Sequence, residues 1–186
     1  MITAMSSPSA TQPWPCVLTT SRLLLRPAEP ADTSDFTRLW TDVDVRRHLG
    51  GPVAEDRLSA YQQHFVGRAH LFTVVTRHEG TVLGSASIDP TSRFDGRREV
   101  SYSFLPEHWG QGYAREAVTA VVSWAFDHVP SDDPSVIAVT QEANERSRRL
   151  LEAIGMRLIS TFVEWDAPQT LYSMQRVAGR GPTHAH

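Results

Sequence analysis

Apolar residues recur along the chain with two different periods. Runs over 22–26, 71–76, 81–88, 99–105, 136–141, 157–162 and 171–176 alternate or are continuously apolar, and they read as strands. The run VIAVTQ at 136–141 is apolar nearly throughout, as expected for a strand in a sheet covered on both faces. A turn at Glu79 and Gly80 joins 71–76 to 81–88 and predicts a β-hairpin.

Helical spacing takes over between these runs. Asp32 is placed to cap a helix reaching about residue 40, and a second helical stretch covers 55–69. Ala114, Ala117, Val118, Val121 and Ala125 recur three and four residues apart, which predicts a long helix to about 128 with one buried face. Another helix follows Asn144, with Leu150, Leu151 and Ile154 facing inward and Gly155 placed to end it. Strands with interspersed helices predict a mixed α/β sheet in a single domain over 20–178. Residues 1–19 and 179–186 carry no periodic pattern and are expected to form a flexible leader and tail.

Composition narrows the function without choosing it. The 186 residues, 40% hydrophobic and 21% charged, suit one globular domain with a proper core. A net charge of −3 lacks the positive field that a nucleic-acid partner requires. No apolar run approaches the roughly 18–20 residues that cross a bilayer, and no basic-then-apolar segment opens the chain, so a cytoplasmic protein without a membrane partner is expected. All 18 basic residues are arginine, which excludes a lysine Schiff base or a phosphate-loop lysine. The single cysteine, Cys16, falls in the leader and has no second thiol to pair with. The eight histidines show no metal-ligand spacing, so no metal is expected, and there is no GxSxG turn for a serine hydrolase.

The segment FLPEHWGQGYAR, 104–115, joins a strand to the start of the long helix, with Gly110 and Gly112 bracketing the turn. Glycines there let backbone approach a ligand closely, and the free N–H groups at the positive end of the helix dipole favour a phosphate. The glycines alone are equally compatible with a tight turn and nothing more. A dinucleotide fingerprint needs a third glycine where Arg115 stands and an acidic residue where 136–141 ends in Gln141. A phosphate-binding GxxxxGK loop is absent.

The run PEHWGQGYAREA, 106–117, resembles the pyrophosphate-binding motif of the GNAT acetyltransferase superfamily, with Trp109 standing at the usual Arg or Gln position as in its Rim-type branch, the ribosomal-protein N-terminal acetyltransferases and their relatives. TSRLLLRPAEPAD (20–32), VLGSASI (82–88) and NERSRRLLEAIGM (144–156) are similar to other segments of that branch, in the same order. The resemblance implies the GNAT fold: a mostly antiparallel central sheet splayed at an acyl-CoA cleft and flanked by helices. It implies acetyl-CoA as cosubstrate, an amine acceptor that is a protein N-terminus or a small molecule, and a possible homodimer. It also implies that amides of Phe104 and Leu105 bond the pantetheine arm, while Trp109, Gly110, Gln111, Gly112, Tyr113, Ala114 and Arg115 form the diphosphate turn.

Amide formation from a thioester needs a base for the amine proton and a donor for the leaving thiolate. By the resemblance Glu99, at the head of the strand leading into the turn, is the candidate base, directly or through water; its plainer reading is a carboxylate paired with Arg97 or Arg98. The tyrosine acid found in many superfamily members would stand at Leu151, so Ser147, three residues after Asn144, takes that part. Helical spacing puts Ser147 on the inward stripe, although a small serine also permits close packing, and Asn144 is either a pantetheine or water ligand or an ordinary helix cap. A CoA-binding regulator that kept the fold and lost the reaction is the alternative function.

Overall fold

The computed structural model describes residues 13–176. In chain order the strands are β1 Leu18–Thr19, β2 Leu23–Pro27, β3 Leu71–Thr76, β4 Val82–Asp89, β5 Arg98–Phe104, β6 Ser135–Gln141, β7 Arg157–Glu164 and β8 Ala167–Gln175. The helices are α1 Thr33–Thr41, α2 Val43–Arg46, α3 Glu55–His64, α4 Tyr113–His128 and α5 Glu145–Ala153. The strands form one sheet in the order β1-β2-β3-β4-β5-β6-β8-β7. Every neighbouring pair is antiparallel except β5 with β6.

That parallel pair is short. β5 and β6 are in register only at Arg98 with Val136 and at Glu99 with Ile137, although β5 runs on to Phe104 and β6 to Gln141. The strands part beyond Glu99, and β6 continues as the partner of β8 alone. Arg98 fastens the closed end. Its buried guanidinium donates to the carbonyls of Ala125, Val129, Asp133 and Ser135, each at 3.2 Å, and so ties β5 to the end of α4 and the start of β6. Burial pushes this arginine down from its ordinary value, with Asp133 acting against that; carbonyl acceptors keep the buried cation satisfied.

The two faces of the sheet are covered differently. The amphipathic pattern of α4 places Ala117, Val118, Val121, Val122, Trp124 and Ala125 against Val100 and Phe104 of β5 and Ala86 and Ile88 of β4. Burying each large side chain of such a core contributes about 1.5–3 kcal/mol. On the other face Phe36 of α1 and Phe65 pack with Ala28 and Leu71 in a smaller cluster joined by Trp40. Strand alternation sends Ser101 and Ser103 to this second face, opposite Ser87 and Ser85 of β4.

Several boundaries differ from the sequence reading. Residues 13–19 belong to the fold, because β1 pairs with β2 and Cys16 is buried in the main core, where burial raises its thiol pKa. Residues 1–12 of the expected leader and 177–186, which include the expected tail, lie outside the described residues. Asp32 precedes α1 but does not cap it with its side chain. Its carboxylate instead accepts from Arg26, the Glu29 amide and Thr73, a buried set that holds β2 and β3 to the start of α1. The helix expected over 55–69 stops at His64, shortly before Gly67 at φ +79°. α2 was not foreseen; it is a single turn whose cap, Asp42, accepts from the amides of Asp44 and Val45. Among the described residues no helix is long and apolar enough to cross a membrane.

Gly84 is required by proximity. A Cβ there would lie 2.2 Å from the Ser103 carbonyl oxygen and 2.8 Å from Cα of Phe104, both backbone atoms of β5. Gly84→Ala is therefore expected to destabilise the protein by about 1–3 kcal/mol through forced separation of the strands; urea unfolding measures the loss, and an unchanged midpoint would refute the close approach.

Candidate active site

The parting of β5 from β6 leaves a cleft of about 690 Å³. It is lined on one side by β5 and the glycine turn and on the other by β6 and α5. Antiparallel geometry alternates the direction of backbone groups, so consecutive residues of β5 address β4 and the cleft in turn. The Leu105 amide donates to the Leu83 carbonyl at 2.9 Å. That corrects the expectation for Leu105: its N–H completes the β4–β5 ladder and is not available to a ligand. Phe104, one position earlier, turns its backbone toward the cleft. Its carbonyl accepts from the Trp109 indole at 2.7 Å, which folds the turn back against the strand.

The turn itself is built for backbone donation. Pro106–His108 makes a 3-10 turn, after which Gly110 and Gly112 adopt φ +75° and +79°, values that side chains other than glycine rarely adopt. The first helical bond of α4 runs from Glu116 N–H to Gly112 C=O. Among the described residues none accepts from the amides of Gly110, Gln111, Gly112, Tyr113, Ala114 or Arg115. These N–H groups sit at the positive end of a 16-residue helix, an arrangement that binds phosphate. The Arg115 side chain is directed elsewhere, to the Ala153 carbonyl at 3.1 Å.

Contacts distant in sequence hold the turn in place. Glu116 Oε1 accepts from Thr20 Oγ1 at 2.6 Å, Ser21 Oγ at 3.0 Å and the Arg22 amide at 2.9 Å, while Oε2 accepts from Arg22 Nε at 2.6 Å. Burial alone would raise this carboxyl, but the donors outweigh it and bring the pKa down to about 2. Arg22 also donates to the Gln111 carbonyl and lies over the Tyr113 ring. Arg146 of α5 stacks 3.9 Å from the Trp109 ring centroid and so places a cation at the cleft wall beside the turn.

Across the cleft Asn144 caps α5, its Oδ1 accepting from the Ser147 amide at 3.2 Å, as the plainer reading of that residue required. Its amide group still lines the cleft. Ser147 points inward as the helical spacing indicated, and its Oγ lies 2.7 Å from the hydroxyl of Tyr102. Burial pushes the Tyr102 phenol up to about 12, partly offset by the Ser147 hydrogen bond, so it keeps its proton and remains a donor. Tyr102 was missed in the sequence. Its alternation with Val100 and Phe104 placed it on the inner face of β5, but its hydroxyl partner is 45 residues away.

Glu99 stands where the two strands part, opposite Asp89 in the ladder and Ile137 in the parallel pair. It pairs with neither nearby arginine: Arg98 turns to the opposite face, and Arg97 lies near Asp95. Burial raises the Glu99 carboxyl, Arg93 opposes this, and Asp89 and Glu164 add to the rise. Strand rise places it about 7 Å from Ser101 on the same face. Ser101 and Ser103 with Ser85 and Ser87 floor a second cavity of about 590 Å³ under α1 and α3. The cleft and this cavity share Leu49, Ser101, Tyr102 and Ser103, so the two spaces meet at Tyr102.

A sheet opened between one parallel pair of strands, with an unbonded glycine turn at the mouth, is matched by a family model described as the acetyltransferase (GNAT) domain over residues 22–157. The chain belongs to the GNAT acetyltransferase family. Among relatives, the uncharacterized N-acetyltransferase p20 of Bacillus licheniformis is 24% identical over 147 residues, covering 75% of this chain and 82% of that protein. A GNAT-family acetyltransferase from Bacillus anthracis superposes with a TM-score of 0.76 at 24% identity, over 86% of this chain and 98% of that one. A spermidine N-acetyltransferase from Vibrio cholerae, solved with CoA and spermine, gives a TM-score of 0.70 at 18% identity, over 84% and 96% of the two chains. The protein is accordingly an acetyl-CoA-dependent acetyltransferase, and its splayed, mostly antiparallel sheet is the GNAT fold.

The Glu116 cluster makes the glycine turn sensitive to acid. A carboxyl whose folded pKa is lowered stabilises the protein fully above its unfolded value, about 4.5, and that contribution is lost as pH falls toward about 2. Glu116→Gln is expected to cost about 1–3 kcal/mol at neutral pH and to flatten the acid dependence of stability between those limits. Thermal melts of both proteins across that range check the sign; parallel curves would dismiss the cluster as the cause.

Proposed function

We propose that this acetyltransferase moves the acetyl group of acetyl-CoA directly onto a primary amine, without an acyl-enzyme. The observation that carries the reading is the run of unbonded amides from Gly110 to Arg115 at the mouth of a cleft whose inner end meets a second cavity at Tyr102. The diphosphate of the cofactor sits on those amides, with Trp109 and Arg146 beside it. The pantetheine arm lies along β5, bonded by the cleft-facing backbone of Phe104 and flanked by Asn144. The thioester then reaches the point where the strands part, and the amine approaches from the cavity floored by the serines.

The chemistry follows from this placement. The neutral amine attacks the thioester carbonyl carbon, its surplus proton passes to Glu99 directly or through water, and the C–S bond of the tetrahedral intermediate breaks. The departing sulfur takes a proton from the hydroxyl side, where Ser147 Oγ stands backed by the Tyr102 phenol, and bulk water restores both groups. A raised carboxyl suits Glu99 to this task, because it accepts a proton more readily than an ordinary carboxylate at neutral pH. Ser147 is small and points into the cleft, and its bond to a phenol that stays protonated keeps a hydrogen available to sulfur. The buried Cys16 lies in the main core, away from the lining of both spaces, which leaves no thiol for a covalent relay among the described residues.

Two measurements test the assignment. Gly112→Val imposes φ near +79° on a β-branched residue at a strain of about 1–2 kcal/mol, so CoA affinity in calorimetry is expected to fall about tenfold; an unchanged affinity removes the turn from the site. Ser147→Ala is expected to lower turnover about 10²-fold with little change in CoA affinity, and wild-type turnover would end its role as proton donor.

A further inference from the structure

The second cavity carries a charge pattern that limits the acceptor. Its wall is aromatic, with Phe36, Trp40, Tyr61 and Phe65 in edge-to-face or tilted contact with ring centroids 4.7–5.7 Å apart. Its floor is the four serine hydroxyls. Arg46, His64 and Arg68 supply the remaining polar lining, and no aspartate or glutamate is among the lining residues. The two carboxylates on this face of the sheet, Asp89 and Glu99, lie beyond the floor.

Arg46 is the telling member. Its Nε donates to the Gly51 carbonyl at 2.9 Å and its Nη2 to the Leu49 carbonyl at 2.7 Å, which fixes the guanidinium against the loop after α2. Among the described residues no carboxylate lies within ion-pair distance of it. Half of the exposed arginines among the described residues do have such partners: Arg22, Arg38, Arg47, Arg93, Arg149 and Arg176 each sit against an aspartate or glutamate, whereas Arg68, at the rim of the same cavity, is also without one. Burial pushes Arg46 down from its ordinary value, and Arg57 adds to this while Tyr61 opposes it. A half-buried cation held rigid by two carbonyls, with one nitrogen left without a protein partner and no counter-charge beside it, is placed to receive an anion.

Resting on the N-acetyltransferase reading above, we infer that the acceptor is an amino carboxylate with an apolar body, such as an apolar or aromatic amino acid, and that Arg46 binds its carboxylate. The amine then faces the thioester at Tyr102, the side chain lies on the aromatic wall, and Arg68 adds a second positive group at the rim. A polyamine is disfavoured by the same lining, since it would meet two arginines and no carboxylate.

The test pairs turnover with binding. Thiol release from acetyl-CoA is compared for L-phenylalanine and L-leucine, their C-terminal amides, phenethylamine, phosphoethanolamine and spermidine. The amino acids are expected to exceed their amides in kcat/KM by about tenfold or more, the usual consequence of removing one partner of a desolvated charge pair. Arg46→Gln should raise KM for the amino acids while leaving the KM for acetyl-CoA and the rate with phenethylamine in place, and Arg68→Gln should do so more weakly. Calorimetry of N-acetylphenylalanine against its amide, on the CoA-loaded enzyme, gives a readout independent of turnover, with the carboxylate expected to bind about tenfold more tightly. Preference for an amide, phosphoethanolamine or spermidine, or equal binding of the two products, overturns the inference and leaves amine acetylation standing. Release of no thiol with any amine, with CoA bound, counts instead against the reaction itself, and the product-binding comparison then still decides the carboxylate.

Discussion

The active region depends on one constraint: β5 and β6 pair for two residues and then separate. Parallel strands joined by a long crossover are ordinarily paired along their length, because each unpaired N–H and C=O costs stability when it is removed from water. Here the crossover is α4, and its C-terminal carbonyls are captured by Arg98 at the closed end of the pair. That contact lets the closed end hold while the open end stays open. β6 makes up its pairing on the other side, with β8 along its full length, so the cost of separation falls on one edge of β5. Trp109 covers part of that edge by donating to the Phe104 carbonyl, and the rest borders the cleft.

The mouth of the cleft is stabilised from a different part of the chain. Glu116 is the fourth residue of α4 and would ordinarily add a modest dipole contribution at the helix start. Its four donors from Thr20, Ser21 and Arg22 make it a clamp between β1–β2 and the glycine turn. Because this side chain absorbs the clamping donors, the backbone amides of the turn are not consumed in holding the turn shut. The same division appears at Arg115, whose side chain is tied to α5 while its amide stays free. Side chains carry the scaffold at this turn, and the main-chain amides are left unbonded.

Strands and helices were legible wherever one period dominated. β3 runs over 71–76 as read, and α4 ends at His128, because alternating or three-four spacing there coincides with a single buried face. Boundaries failed where short-range and long-range demands differ: residues 13–19 carry two prolines and no period of their own, yet Cys16, Leu18 and Trp14 pack on the sheet. The glycine turn was legible because it is contiguous: the left-handed φ at Gly110 and Gly112 and the unbonded amides beside them are written in one stretch of sequence. Leu105 was misassigned because the direction of a strand amide depends on which neighbour sets the register, here Leu83, and composition carries no trace of that. Tyr102 and the Glu116 clamp were invisible for the same reason, each being half of a contact made across dozens of residues.

The two spaces are built in opposite ways, and Tyr102 is among the residues they have in common. The mouth of the cleft is formed mainly by backbone and by residues whose side chains are occupied elsewhere, and its shape depends on φ at Gly110 and Gly112. The second cavity is the reverse: serine hydroxyls, an aromatic wall and arginines, contributed by segments before β3 and by residues of β4 and β5. A chain whose basic residues are all arginine presents planar, permanently charged groups wherever it presents a cation, and planar donors match a carboxylate better than a compact ammonium does. On the proposed function, acceptor specificity is therefore free to change in the second cavity without disturbing the glycine turn, since among the described residues the two spaces share only Leu49, Ser101, Tyr102 and Ser103.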